Sequence, residues 1–284
     1  QLAVFPNLSE LDPQLGWDPH QGRMVSTWFD PNFLGAYFVL CLSLLTGKLF
    51  GVSERGKDSR GLGSGLSRII LLTTCYLILT TALILTFSRS AWGMLAVVLG
   101  VFGVFKSRKL LLLMLLLFFG AYFLVPRIQT RLSGITDPAD SASLRLVSWQ
   151  RTFGIIKKYP LTGVGFNTFR YAQEREGFFR DKRGVPLESG HSGAGSDSSL
   201  LLIWATTGIF GLLAYLWLYG IIAWRASRRN SARRSAPGAV GGLSLSLLAA
   251  LIGLFAESNF INSLFYPPIL LWLWVVVGLV VKPT

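Results

Sequence analysis

Hydrophobic residues along this chain are gathered into seven long runs, separated by polar connections of very unequal length. An α-helix needs about 20 mostly apolar residues to cross the hydrocarbon of a bilayer, and a single soluble core does not explain seven such runs. The pattern therefore predicts an all-α fold, a polytopic bundle of about seven transmembrane helices. The predicted spans are residues 31–47, 69–87, 90–105, 110–125, 199–224, 239–256 and 263–281.

One connection, residues 126–198, is far longer than the others and divides the chain into three parts. Residues 1–125 hold a polar N-terminal stretch and the first four spans, and residues 199–284 hold the last three. The sequence begins with Gln1, and residues 1–30 lack the pattern of a signal peptide. We therefore expect further spans upstream of the first residue.

The composition supports a membrane protein, with 51% hydrophobic and only 14% charged residues. Soluble domains average about 25% charged residues. Cys41 and Cys75 both lie inside apolar runs, where we expect them to pack against neighbouring helices.

Basic residues indicate the orientation of the bundle. Three alternate connections and the C-terminal tail together hold 14 of the 27 lysines and arginines. The positive-inside rule assigns these regions to the cytoplasm, so the long connection becomes a large extracytoplasmic loop. This arrangement accounts for most of the net charge of +13 without nucleic acid as a partner. The loop itself has eleven basic against seven acidic residues, which suggests an anionic ligand.

Arg89 lies in a short turn between two predicted spans, in the sequence TFSRSAWG. An arginine at membrane depth is costly and is commonly functional, although a side chain that snorkels to the interface is the simpler alternative. Its planar guanidinium suits a phosphate. We predict that Arg89 binds an anionic group.

Arg145 lies in a predicted amphipathic helix, residues 141–158, which Asp140 or Ser141 can cap and which Pro160 ends. Trp149 follows four residues later and is therefore its neighbour on the helix surface. Two interpretations of Arg145 fit the sequence equally well. It is either an ordinary solvated arginine on an interfacial helix or a ligand-binding arginine.

Two ionisable residues before the fifth span are candidate proton acceptors, and a third ionisable group lies near the same surface. His191 and Asp197 precede the fifth span, and Glu257 ends the sixth. A lone loop histidine is often incidental, and Asp197 can instead cap the helix that follows it. No residues have the spacing of zinc ligands, a nucleophile elbow or a P-loop, so we predict neither a metal nor a cofactor.

These motifs together resemble the O-antigen ligase and polymerase superfamily of bacterial membrane glycosyltransferases. The resemblance is carried by SRS around Arg89, by residues 143–169 and by the polar motif that leads into LLLIWATTGIFGLL. The sequence DPNFLGAYF, residues 30–38, also resembles the family's opening to an earlier span.

The resemblance implies a fold similar to the GT-C-type membrane glycosyltransferases, with the active-site loop outside the bacterial inner membrane. It implies a polyprenyl-diphosphate-linked oligosaccharide as donor, a glycan, lipid or protein hydroxyl as acceptor, and membrane lipids as further partners. By motif match, Arg89 and Arg145 bind the diphosphate. Trp149, Ser196 and Glu257 are possible supporting residues.

One departure from the family pattern concerns the proton acceptor. The family has a histidine followed by an asparagine just before the span after the loop, and these positions are Ser196 and Asp197 here. Either His191 reaches the same place through the small residues that follow it, which we favour, or Asp197 takes over the role. A third alternative is a protein that binds the lipid without the usual base.

Other classes of protein predict different features. The peptidoglycan polymerases of the shape, elongation, division and sporulation family share this layout, and loss of cell shape in an Arg89→Ala strain would favour them. A transporter or flippase for an anionic lipid predicts inverted repeats and charges near span centres, which the sequence lacks. A non-catalytic scaffold would tolerate alanine at Arg89, Arg145, His191 and Asp197.

Overall fold

The computed structural model describes residues 23–24, 30–55, 62–124, 126, 129, 141–179, 195–232 and 240–281. These residues form nine α-helices and one 3-10 turn, and no strand occurs among them. The helices are α1 Pro31–Arg55, α2 Leu62–Leu85, α3 Arg89–Phe105, α4 Arg108–Leu124, α5 Ser141–Lys158, α6 Phe169–Arg175, α7 Ser199–Ala232, α8 Val240–Glu257 and α9 Pro267–Val280, with the 3-10 turn at Ser263–Phe265.

The all-α prediction is confirmed, because every predicted span coincides with a helix. Three helices are long and apolar enough to cross a membrane, namely Pro31–Phe50 within α1, Leu66–Leu85 within α2 and Ser199–Asn230 within α7. Shorter apolar helices occupy Arg89–Phe105, Gly242–Glu257 and Pro267–Val280. The count of seven spans stays a prediction.

Local polar residues determine where several helices begin. Asp30 Oδ1 accepts hydrogen bonds from the backbone amides of Asn32 (2.6 Å) and Phe33 (3.2 Å) at the start of α1. Ser198 Oγ accepts from the amide of Leu201 at the start of α7. Each side chain satisfies donors that the first turn of a helix leaves without a partner. Prolines occupy the first turn of α9, where a missing amide proton costs nothing.

The main hydrophobic core lies among α1, α3 and α8, with α7 and α9 packed around it. α1 and α8 approach so closely that a methyl group added to Gly47 would lie 2.4 Å from the carbonyl oxygen of Gly242. One turn away, the hydroxyl of Ser43 donates to the carbonyl of Ser246, and Ser246 donates back to Ser43, each at 2.8 Å. Small residues of this kind allow helix backbones to pack closely inside a membrane.

α7 breaks at Gly208, whose φ of 71° and ψ of −175° are accessible essentially only to glycine. The break rotates the first part of the helix away from the rest. We call residues 199–207 the short arm of α7 and residues 209–232 its long arm.

Two hydrogen bonds to the α8 region show why the break is needed. The amide of Ser199 donates to the carbonyl of Ser258, and the hydroxyl of Tyr219 donates to the carbonyl of Leu251. The two donors are 20 residues apart, about 30 Å along a straight helix, whereas the acceptors are 7 residues apart, about 10 Å. The short arm therefore folds across the end of the bundle.

A second hydrophobic core forms on the short arm. Ile155 and Ile156 of α5, Phe169 and Ala172 of α6, and Ala205 of α7 pack together there. This core fixes the described part of the long connection to the end of the bundle, where the candidate site lies.

Candidate functional site

Five charged residues from separate parts of the chain converge at the end of the bundle. Arg145 interacts electrostatically with all four others, which are Asp30, Arg89, Asp197 and Glu257. Burial lowers the pKa of the Arg145 guanidinium, and Arg89 lowers it further. The three carboxyl groups oppose this shift, and Asp197 opposes it most strongly. We call these five residues the charged cluster.

Arg89 begins α3 directly after a constrained turn. Phe87 has a φ of 48°, and the next residue, Ser88, caps α3 by accepting from the amide of Ala91. The hydroxyl of Ser88 donates to Asn32 Oδ1 at 2.8 Å, which ties the turn to the start of α1. Asn32 thereby fixes the backbone from which the Arg89 side chain extends.

Arg23 strengthens the same connection from the N-terminal side. Its Nη2 donates to Asn32 Oδ1 at 3.1 Å, and its Nε donates to the carbonyl of Thr86 at 2.9 Å. The amide of Met24 donates to the carbonyl of Leu85. Arg23 and Asn32 thus join the beginning of α1 to the turn before α3.

One face of α5 holds the segment that precedes α7. The amide of Asp197 donates to Ser148 Oγ (3.1 Å), and Trp149 Nε1 donates to the carbonyl of Asp197 (3.3 Å). Thr152 Oγ1 donates to Ser196 Oγ at 3.0 Å, and both side chains are buried. Positions three, four and seven residues after Arg145 share its helix face, so Asp197 and Arg145 face the same region.

Glu257 ends α8 and is almost fully enclosed, with 2% of its surface exposed. Ser263 Oγ donates to Glu257 Oε2 at 2.5 Å. The other carboxylate oxygen, Oε1, is buried and has no hydrogen-bond partner within the described residues. A buried carboxyl oxygen without a partner lowers stability, and this one belongs to a residue that interacts with Arg145.

The turn after α8 is joined to the start of α7. Ser199 Oγ donates to Asn262 Oδ1 and accepts from the amide of Leu264, each at 3.2 Å. Phe260 of the same turn packs against Trp149, with ring centroids 5.9 Å apart. Trp149 therefore links α5, Asp197 and the turn after α8.

The structure brings together four of the residues that the sequence indicated, namely Arg89, Arg145, Asp197 and Glu257. Trp149 and Ser196 lie beside them. Trp149 donates a hydrogen bond to the backbone carbonyl of Asp197, and Ser196, the residue before Asp197, accepts one from Thr152. His191 lies outside the described residues. Ser198 caps α7, because its Oγ accepts from the amide of Leu201.

Sequence reasoning missed several members of this site. Asp30 and Asn32 carried a local signal, because Asp-Pro-Asn before an apolar run is typical of a helix start. Ser148 and Thr152 carried a weaker one, since they follow Arg145 on a single helix face. Arg23 carried none, because its partners are 9 and 63 residues away.

No three His, Cys, Asp or Glu side chains are grouped to hold a metal ion in the described part of the chain.

A family model described as O-antigen ligase matches residues 74–216, half of the chain. The matched range includes Arg89, Arg145 and Asp197. No curated protein matches the chain.

Proposed function

Because the chain belongs to the O-antigen ligase family, we propose that it transfers a glycan from a polyprenyl-diphosphate carrier to an acceptor hydroxyl. The acceptor belongs to a glycan, lipid or protein of a bacterial surface polysaccharide pathway. The reaction occurs at the extracytoplasmic face of the inner membrane and needs neither metal nor cofactor. The observation that supports this proposal best is the convergence of Arg89 and Arg145 with three carboxyl groups.

Two arginines held close together favour an anionic ligand. Their mutual repulsion is relieved when a diphosphate binds between them. Each guanidinium can also form two parallel hydrogen bonds to the oxygens of one phosphate. Burial of Arg145 strengthens this attraction, because charges interact more strongly away from water. In the absence of donor, Asp197 supplies the main opposing charge.

The same arginines stabilise the leaving group. The acceptor oxygen forms a bond with the anomeric carbon, and the bond from that carbon to the diphosphate oxygen breaks. The electron pair of the broken bond stays on the diphosphate, whose negative charge increases. Fixed guanidinium groups stabilise this charge most strongly in the transition state.

The proton of the acceptor hydroxyl goes to a base, which we assign to Asp197. Two hydrogen bonds support this assignment, one between Ser148 and the Asp197 amide and one between Trp149 and the Asp197 carbonyl, because together they fix the Asp197 backbone against α5. Its interaction with Arg145 keeps the base next to the leaving group. His191 is the alternative base.

A transfer assay with purified protein tests the function. A defined polyprenyl-diphosphate oligosaccharide is mixed with candidate acceptors in the presence of EDTA, and products are separated by mass. Product formation that needs both substrates and persists in EDTA is expected. Movement of the donor between leaflets without any transfer would contradict the proposal and favour a flippase.

Substitution of the two candidate bases separates their roles. We expect Asp197→Asn to lower kcat by about 10²- to 10⁴-fold, the usual contribution of a general base. The KM for donor should not rise, because the loss of a negative charge does not weaken binding of an anion. His191→Ala should retain activity within a few-fold. The reverse result would assign the base to His191.

A further inference from the structure

Large apolar side chains are exposed on an ordered turn between α5 and α6. We call residues 159–171 the aromatic segment. Phe166 at its tip has 84% of its surface exposed, and Tyr159, Leu161 and Tyr171 each have about half or more exposed. Apolar side chains grouped in this way on an ordered surface indicate a partner that covers them.

The aromatic segment is fixed to the break in α7 by backbone hydrogen bonds. The amides of Val164 and Gly165 donate to the carbonyls of Ala205 and Thr206, each at 2.8 Å. These carbonyls precede the break, where helical hydrogen bonding is interrupted. In the opposite direction, the amide of Ile209 donates to the carbonyl of Pro160 at 3.0 Å.

Close backbone contact reinforces this attachment. A methyl group on Gly163 would lie 2.6 Å from the amide nitrogen of Gly208, and one on Gly208 would lie 1.9 Å from the carbonyl oxygen of Leu161. Trp204 Nε1 also donates to the carbonyl of Pro160 at 3.2 Å. The position of the aromatic segment along α7 is therefore fixed.

That position corresponds to the edge of the bilayer hydrocarbon. Arg225 is the first charge after the apolar part of the long arm. A span of about 20 residues counted back from Arg225 reaches Ala205, next to the break. Exposed apolar residues of the long arm, Phe210, Leu213 and Trp217, begin immediately below. The aromatic segment thus continues the apolar surface of α7 at the depth where aromatic side chains are enriched in membrane proteins.

The charges around the aromatic segment suit lipid headgroups. Four exposed basic side chains lie within or next to it, against two acidic ones, Glu174 and Glu176. Glu176 is paired with Lys158 at 2.5 Å. Basic residues beside exposed aromatic residues are typical of surfaces that lie in a membrane interface. The basic residues are Lys157, Lys158, Arg170 and Arg175.

We propose that the aromatic segment is seated in the bilayer interface, with Leu161 and Phe166 at the acyl boundary and the basic side chains among lipid phosphates. Its partner is the lipid surface itself. Because α5 joins this segment to Arg145 and Asp197, the seating fixes the height of the charged cluster relative to lipid headgroups. The proposal does not depend on the transfer reaction.

Spin labels on single cysteines test this seating in protein reconstituted into lipid nanodiscs. In a Cys41→Ala, Cys75→Ala background, labels are attached to Phe166→Cys and Leu161→Cys. The controls are Glu174→Cys, as a position in water, and Lys157→Cys, as a position at the headgroups. Collision rates with oxygen, which concentrates in lipid, are compared with those of a water-soluble nickel chelate. We expect the ratio of oxygen to nickel collisions to be several-fold higher at positions 161 and 166 than at the controls.

Two outcomes would overturn the proposal. Equal ratios at the four positions would mean that the aromatic segment lies in water. Low collision rates with both reagents at positions 161 and 166 would mean that a protein surface covers it. The two label sites are independent, so failure of either variant to fold leaves the other as the test.

Discussion

The helix bundle and the charged cluster solve opposite physical problems. Where α1 crosses α8, the hydroxyls of Ser43 and Ser246 each donate a hydrogen bond to the other residue's backbone carbonyl. Gly47 and Gly242 allow the two helices to come into close contact. In the charged cluster, two arginines repel each other and Glu257 keeps an oxygen without a hydrogen bond in the described structure. The first region is arranged for stability, whereas the second retains unfavourable interactions that a ligand can relieve.

Among the variants that compare the charged cluster with the bundle, we expect the largest effect at Arg145. Arg145→Ala should lower kcat/KM for transfer by about 10²- to 10³-fold, the loss typical when a group that stabilises developing charge is removed. The midpoint of thermal unfolding should change little, since the substitution also removes a repulsion. Transfer assays and thermal unfolding in the same detergent measure both quantities.

Arg151→Ala is the matched control on the same helix. Arg151 is half-buried and lies over the ring of Phe178, 5.4 Å from its centroid, away from the charged cluster. Its loss should leave kcat/KM within a few-fold. Equal losses in the two variants would mean that α5 needs positive charge in general rather than at position 145.

A smaller effect of the opposite kind is expected in the bundle. Gly242→Ala would place a methyl group 2.2 Å from the carbonyl oxygen of Gly47, so the two helices must separate. Overpacking of this kind costs about 1–3 kcal/mol of unfolding free energy. We expect a lower unfolding midpoint with unchanged transfer activity per folded molecule.

Gly220→Ala provides the control for the bundle. In the described part of the chain, no atom outside the local helix backbone lies within 4 Å of a methyl group at Gly220, and alanine favours a helix over glycine. Its unfolding midpoint should stay equal or rise. A similar loss of stability in both variants would show that the crossing of α1 and α8 has no special role.

The smallest effect concerns the link between the two regions. Thr152→Val removes the hydrogen bond to Ser196, which contributes roughly 0.5–1.5 kcal/mol. Asp197 should then be held less firmly, and kcat should fall a few-fold with an unchanged KM. Thr162→Val is the control, because that hydroxyl is exposed and, within the described residues, bonds only to the next residue's carbonyl. An unchanged kcat in Thr152→Val would separate Ser196 from the positioning of Asp197.

Features with local signals were predictable from the sequence. The bounds of α5 follow from a capping residue at its start and Pro160 just after its end, and the structure has the predicted helix. The apolar runs predicted the long helices because burial in lipid depends mainly on composition. The turn at Arg89 followed from the short interval between two apolar runs.

Features that depend on distant pairing were not predictable from the sequence. Gly208 lies within an apolar run, and nothing in that run indicates the close contact that its backbone makes with the aromatic segment. Gly47 and Gly242 carry no sign of each other until α1 and α8 are paired. Asp30 joins the charged cluster through tertiary structure, although its capping role was visible locally.

The exchange of hydrogen bonds at Gly208 has a consequence for engineering. Residues 160–165 and 204–209 complete one another's backbone bonding, so neither stretch is a self-contained module. A chimaera that receives residues 160–165 from a relative but keeps its own residues 204–209 would pair two stretches whose backbones do not match. Grafts intended to change acceptor preference should therefore transplant both stretches together.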